Sequence, residues 1–376
     1  MGRAAGPRIC VLGAGHGGTA MAAHLSLKGY AVNLLNRSPG RLEPIQLHGG
    51  IELTCGPEAA IEEGFAELEV VSTNPAECVP QADVLMVAVP ATGHADVAHV
   101  VAGHLRDGQV IVLNPGRTGG ALEFRRVLQE EGMRAAVKVA EAQTFIYASR
   151  CEQPAQVRVF RVKNTIPVAA LPAHHTVDVM RAIKPLYRQF VPGDNVLKTG
   201  LNNVGVTFHP AILLLNASRI ESGEGNFEFY LQGITPAVAR ILEAIDGERL
   251  AVACALGIRG MSAREWLYVA YDVAGRTLHE AVLRQHGYKG ILAPRSVRDH
   301  RYISEDVPTS LVPMASLGRM LGVPTPAIDA VVELANQVQE CDYWQTGRTV
   351  EKLGLAGRSV REILHFALVG EWEAPA

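Results

Sequence analysis

The tract NNVGVTFHP (Asn202–Pro210) ends on a histidine preceded by polar asparagines and followed by proline. An imidazole exchanges protons near neutral pH, so His209 is a candidate general acid or base. Proline is a good first residue of a helix, which predicts that His209 stands at a helix start. A carboxylate behind the ring would orient it and carry the counter-charge of the imidazolium. Asp306 and Glu305 of the distant SED tract both qualify, and the residues alone do not choose between them. Guanidinium groups match carboxylates bidentately, which makes Arg301 of HRYISED and Arg117 of NPGRTGG candidate anchors for an acidic substrate. Asn202 and Asn203 could orient an amine or the ring. The structural counterparts of these roles are a capping or core histidine, surface ion pairs and turn asparagines.

A second constellation lies near the N-terminus. The run ICVLGAGHGGTAMAAHL places Gly13, Gly15 and Gly18 in the spacing G-x-G-x-x-G, after an apolar strand and before an alanine-rich helix. That context suits a nucleotide site, with Gly13, Ala14, Gly15, His16, Gly17 and Gly18 around a pyrophosphate at a helix N-terminus. The next strand, YAVNLLNR, ends on Asn36, Arg37 and Ser38 rather than on an acid. Asn36 leaves no charge to repel a 2′-phosphate, Arg37 offers a permanent cation and Ser38 a hydroxyl, so NADP(H) is favoured over NAD(H). Val89 and Pro90, closing ADVLMVAVP, fall where a cofactor crevice should open.

The elements that must position these residues follow from pattern. Strands and helices alternate through the first half, predicting a doubly wound α/β Rossmann domain with a parallel sheet over residues 1–190. VRVFRVKNTIPVAALP alternates like an edge pair. From FVPGDNVLKT onward apolar residues recur at three and four, predicting an all-α domain over 191–376. FEFYLQGITP (Phe227–Pro236) reads as a loop that could reach a cleft. PAIDAVVELANQVQE carries an apolar stripe which, if exposed, would favour a homodimer.

The chain has 376 residues and a net charge of -3 from 35 basic and 38 acidic side chains, no footprint for nucleic acid. No apolar run reaches the ~18 residues of a membrane span, and the N-terminal stretch lacks the apolar core of a signal peptide. Six scattered cysteines without C-x-x-C fit reduced thiols and a cytoplasmic setting. His279 and His286 could share a helix face but have no third ligand, so no metal site is expected.

Several stretches together, VLGAGHGGTAMAAHL, VLNPGRTGG, AEAQTFIYASR, NNVGVTFHP, RYISEDVPTSLVP and GVPTPAIDAV, resemble the opine dehydrogenase family, including octopine and nopaline dehydrogenases. The resemblance implies a Rossmann domain, a helical domain and an active site between them. It implies reductive joining of a 2-oxo acid such as pyruvate to the amine of an amino acid. It places the catalytic histidine on His209, its partner on Asp306 and the carboxylate-binding arginine on Arg301. It also puts polar residues near the oxo acid on Arg117 and Thr144, although the octopine branch has Gln where this chain has Arg117. Two other readings share the scaffold. One is a ketopantoate-reductase-like or glycerol-3-phosphate-dehydrogenase-like reduction using Lys198 and Asn202; the other is a nucleotide-responsive binding protein without turnover.

Overall fold

The structure, a computed structural model, describes residues 6–223 and 225–372. The first five residues, on which the reading of the N-terminus partly rests, lie outside them. The chain divides into two compact units, Met1–Thr199 with His365–Ala376, and Gly200–Leu364. The division therefore differs from the expected one at 190/191. The strand Phe190–Pro192 pairs with Ile166–Leu171, and the Thr199 hydroxyl donates to Glu141, tying this stretch to the first unit. The C-terminal segment returns to the first unit as well, where Arg125 donates to the Gly370 carbonyl at 2.8 Å.

The first unit is built on an eight-stranded sheet. Its strands are β1 (Ile9–Leu12), β2 (Val32–Leu35), β5 (Val70–Ser72), β6 (Val84–Val87), β7 (Val110–Leu113), β8 (Lys138–Ala142), β11 (Ile166–Leu171) and β12 (Phe190–Pro192). The order is β12-β11-β8-β7-β6-β1-β2-β5. The run from β5 to β8 is parallel, and β11 turns antiparallel against β8. Every residue of β1, β6 and β7 is buried, as expected of continuous apolar strands covered on both faces.

A smaller sheet has the order β4-β3-β10-β9, from β3 (Ile51–Glu58), β4 (Gly64–Ala66), β9 (Tyr147–Gln153) and β10 (Gln156–Val162). The expected edge pair is thus two interior strands of different sheets, β10 beside β3 and β11 beside β8. The helix His16–Leu27 packs against both sheets and is buried continuously from Gly18 to Leu25. Its alanines let strands approach on all sides. Within it His24 Nδ1 meets the Tyr147 hydroxyl at 2.7 Å, which in turn lies 2.8 Å from the Tyr187 hydroxyl. Burial, with Lys28 adding to it, pushes the His24 pKa down to about 4.

The second unit is helical, with one isolated antiparallel bridge between Glu228 and Leu292. Its longest described helix, Pro236–Ala255, starts on Thr235, whose hydroxyl accepts from Val238 N–H. Buried Arg249 on that helix donates to Asp246 at 2.6 Å and to the carbonyls of Leu201 and Met261. Pro326–Gln339 buries Ile328, Val331, Val332 and Ala335 in the core and leaves Leu334 exposed. Among the described residues no helix is long and apolar enough to cross a membrane.

Candidate active site

In the first unit the glycine loop joins β1 to the helix His16–Leu27. Gly13 has φ +116, and a Cβ there would lie 2.7 Å from the Ala88 carbonyl and 2.9 Å from Val89. A Cβ on Gly18 would lie 1.8 Å from the Gly13 carbonyl, so helix and strand pack closely only through glycine. At Gly15 a Cβ would meet nothing within 4 Å: the loop faces open space at the position where backbone must approach a pyrophosphate. The loop and helix start therefore fit a dinucleotide.

Asn36 is drawn into this loop, its Oδ1 accepting from Ala14 N–H at 3.0 Å and its Nδ2 donating to the Ser38 carbonyl. Arg37 is exposed and pairs with Asp96 at 3.0 Å. Asp96 thus places a negative charge beside the position where Asn36 leaves none. His16 accepts from Cys151 N–H at 3.0 Å, tying the loop to β9. Pro90 is exposed and precedes a single helical turn, Ala91–Gly93.

The loop leaving β7 holds Arg117 with φ +60, a left-handed conformation rare for a side-chain-bearing residue. Thr144 lies just past β8, which pairs with β7 through Leu113 and Glu141. Its hydroxyl accepts from Lys163 Nζ at 2.5 Å. Burial, with the Arg117 guanidinium adding to it, pushes the Lys163 pKa down to about 8. Lys163 is a residue the spacing of the sequence did not single out.

In the second unit His209 lies inside the helix Gly205–Leu215 rather than at its start, and Pro210 is an interior proline. His209 Nδ1 is 2.7 Å from Asp306 Oδ2; the His209 side chain is 19% exposed and that of Asp306 1%. Glu305, the other candidate, instead takes Arg301, whose Nε and Nη2 reach Glu305 Oε2 at 3.0 and 2.7 Å. The Arg301 side chain stays 61% exposed. Asp306 leads into a π-helical turn, Val307–Leu311, a distortion frequent at functional sites. Asn203 Nδ2 donates to Ser310 in that turn at 2.9 Å.

Two aromatic partners of His209 come from elsewhere. Tyr302 stacks on the ring with centroids 4.2 Å apart. The Tyr230 hydroxyl lies 3.1 Å from His209 Nε2, and burial raises its pKa well above the usual phenol value. Tyr230 belongs to the Phe227–Pro236 tract read as a cleft loop, the signal by which it could have been found.

The residues of the alternative pairing are engaged otherwise. Lys198 pairs with Asp194 one helical turn away, and Asn202 Oδ1 accepts from Met261 N–H at 2.9 Å.

Residues 192–339 match the family model described as NAD/NADP octopine/nopaline dehydrogenase, alpha-helical domain, and residues 9–165 that of ketopantoate reductase PanE/ApbA. An opine dehydrogenase of Arthrobacter sp. (strain 1C) is 42% identical over 92% of this chain and 95% of its own length. A solved octopine dehydrogenase with NADH and pyruvate aligns at TM-score 0.79 and 22% identity over 98% of this chain and 100% of that one. Yersinopine dehydrogenase with NADP+ bound aligns at 0.74 and 16% over 96% and 98%. These two likenesses show the fold, a Rossmann unit followed by a helical one. Through its 42% identical relative, the chain belongs to the opine dehydrogenase family and is an NAD(P)-dependent oxidoreductase acting on CH–NH donors.

Proposed function

We propose that the protein reductively condenses a 2-oxo acid such as pyruvate with the amine of an amino acid, reversibly, with His209 and Asp306 as the acid–base pair. The observation that carries this is the 2.7 Å contact from His209 Nδ1 to a fully buried carboxylate. Asp306 accepts from Nδ1, which leaves Nε2, on the Tyr230 side, to exchange protons. Amine and oxo acid lose water to form an imine. His209 carries a proton from the amine nitrogen to the departing hydroxyl and, reprotonated from solvent, supplies the proton gained by the nitrogen of the product secondary amine. Arg301, Arg117, Thr144 and Asn203 bind the acidic and polar groups of the substrates. NAD(P)H, held by Gly13–Gly18, Asn36, Val89 and Pro90, supplies the hydride when bound.

NADP(H) is the favoured form. Asn36 brings an amide rather than an acid to the end of β2, and Arg37 and Ser38 face outward beside it. The Arg37–Asp96 pair is exposed, hence worth under about 1 kcal/mol, so a phosphate can displace Asp96. The R37A variant should lose several-fold in kcat/KM for NADPH and little for NADH. The free cysteines support, as part of this reading, a reducing cytoplasmic compartment.

The test is a paired-substrate assay with NADPH and NADH. The coenzyme should be consumed only when oxo acid and amine are both present. Consumption with oxo acid alone would point to simple ketone reduction and sink the proposal.

A further inference from the structure

Lys163 lies in the short connection between β10 and β11, and its N–H donates to the Ile146 carbonyl at 3.0 Å. Its ammonium donates to Thr144 Oγ1 at 2.5 Å. An ammonium has three donors and no acceptor, so the Thr144 oxygen must accept here. The hydroxyl hydrogen of Thr144 is thereby left for an acceptor other than Lys163. Arg117, held at φ +60 beyond the carboxyl end of the neighbouring strand β7, adds a second cation close enough to act on the amine. Two like charges close enough to act on each other are mutually unfavourable, and a nearby anion offsets that. The carboxyl ends of parallel strands are also where open α/β sheets bind ligands.

We infer that Lys163 is a positioning residue of the oxo-acid subsite: it fixes the Thr144 hydroxyl as a donor to the substrate carboxylate and, with Arg117, supplies the positive potential that holds that anion. This rests on the reading that Arg117 and Thr144 belong to the oxo-acid subsite. A pKa of about 8 leaves the desolvated amine mostly protonated near pH 7, as the donor role requires.

The experiment measures initial rates of the full-length enzyme with pyruvate, amine and coenzyme varied in turn, for K163M, K163R, T144V and R117Q. K163M should raise the oxo-acid KM about tenfold or more, the scale of a hydrogen bond to a charged group. The KM values for amine and coenzyme should stay within about twofold, since their binding is not touched. K163R, which restores a cation, should recover part of the loss. K163M combined with T144V should be no worse than the poorer single variant, because both act on one hydrogen bond.

An unchanged oxo-acid KM in K163M, or a uniform rise for all three ligands, overturns the assignment. If T144V and R117Q raise the oxo-acid KM while K163M does not, only Lys163 is removed. If none of the three moves it, the subsite reading itself falls. Should K163M lose cooperative thermal unfolding, K163Q, which keeps a donor but no charge, is judged by the same criterion.

Discussion

His24 in the first unit and His209 in the second each meet a tyrosine hydroxyl through a ring nitrogen, at 2.7 and 3.1 Å. Both rings have aromatic neighbours: Tyr147 and Tyr187 around His24, Tyr302 and Tyr230 around His209. They differ on the other nitrogen and in access. His24 is sunk in the core with a lysine nearby, and burial holds it neutral, with a pKa of about 4. His209 has the Asp306 carboxylate at 2.7 Å and keeps 19% of its side chain exposed. A tyrosine partner alone makes an imidazole a structural strut. A buried carboxylate, which can share a positive charge, is what the proposed acid–base role of His209 requires.

Deleting each ring separates the two histidines most sharply. H209A should lower kcat by about 10²–10⁴, whereas H24A should lower thermal stability and leave the kcat of folded enzyme nearly unchanged. Equal kcat losses in both would end the distinction.

D306N comes next. It keeps the shape but removes the counter-charge and favours the wrong tautomer, so kcat should fall roughly 10²-fold or more while coenzyme affinity is retained. A near-normal kcat would show that His209 works without its carboxylate.

The third test is pH. Because the folded pKa of His24 lies below its unfolded value near 6.5, the unfolded chain binds the extra proton between about pH 6.5 and 4. The stability contributed by neutral His24 is thus complete above pH 6.5 and lost as pH falls toward 4, roughly 2–3 kcal/mol by pH 4.5. H24Q cannot titrate, so urea denaturation at pH 7 and 4.5 should show a smaller acid loss for it than for the native chain. Identical losses would remove His24 as the cause.

The smallest effect belongs to Y230F. Loss of one hydroxyl at Nε2 should cost up to about tenfold in kcat and shift its pH profile. A changed KM with an unmoved profile would make Tyr230 a packing residue.

Much of this architecture was legible because its signals are local. β1, β6 and β7 are continuous apolar runs, and the glycine spacing after β1 has a steric reason at Gly13 and Gly18. The smaller sheet was not legible, since β3 pairs with β10 across about a hundred residues and no local pattern announces a partner so distant. Pro210 points to a helix start in the sequence, and the structure departs from that. Proline is tolerated at the first turn, yet here it stands inside the helix, where it cannot donate to the Val206 carbonyl. The choice between Glu305 and Asp306 was closed to sequence because adjacent helical residues point about 100° apart. One meets Arg301 and the other His209. Lys163 was invisible because its meaning lies in a hydroxyl nineteen residues earlier, reached only once β8 and the β10–β11 connection are folded.

The return of the chain to the first unit at His365 has a consequence for biogenesis. The helical unit is an insertion in the linear order, not an appendage. Ring stacking of Phe366 on Trp372 at 4.1 Å and the Arg125 bond to Gly370 belong to the nucleotide-side unit, yet they are translated after the whole helical unit. On the ribosome the half made before the helical unit waits for a segment made after it to finish its surface. A truncation ending at Thr199 would leave that surface open.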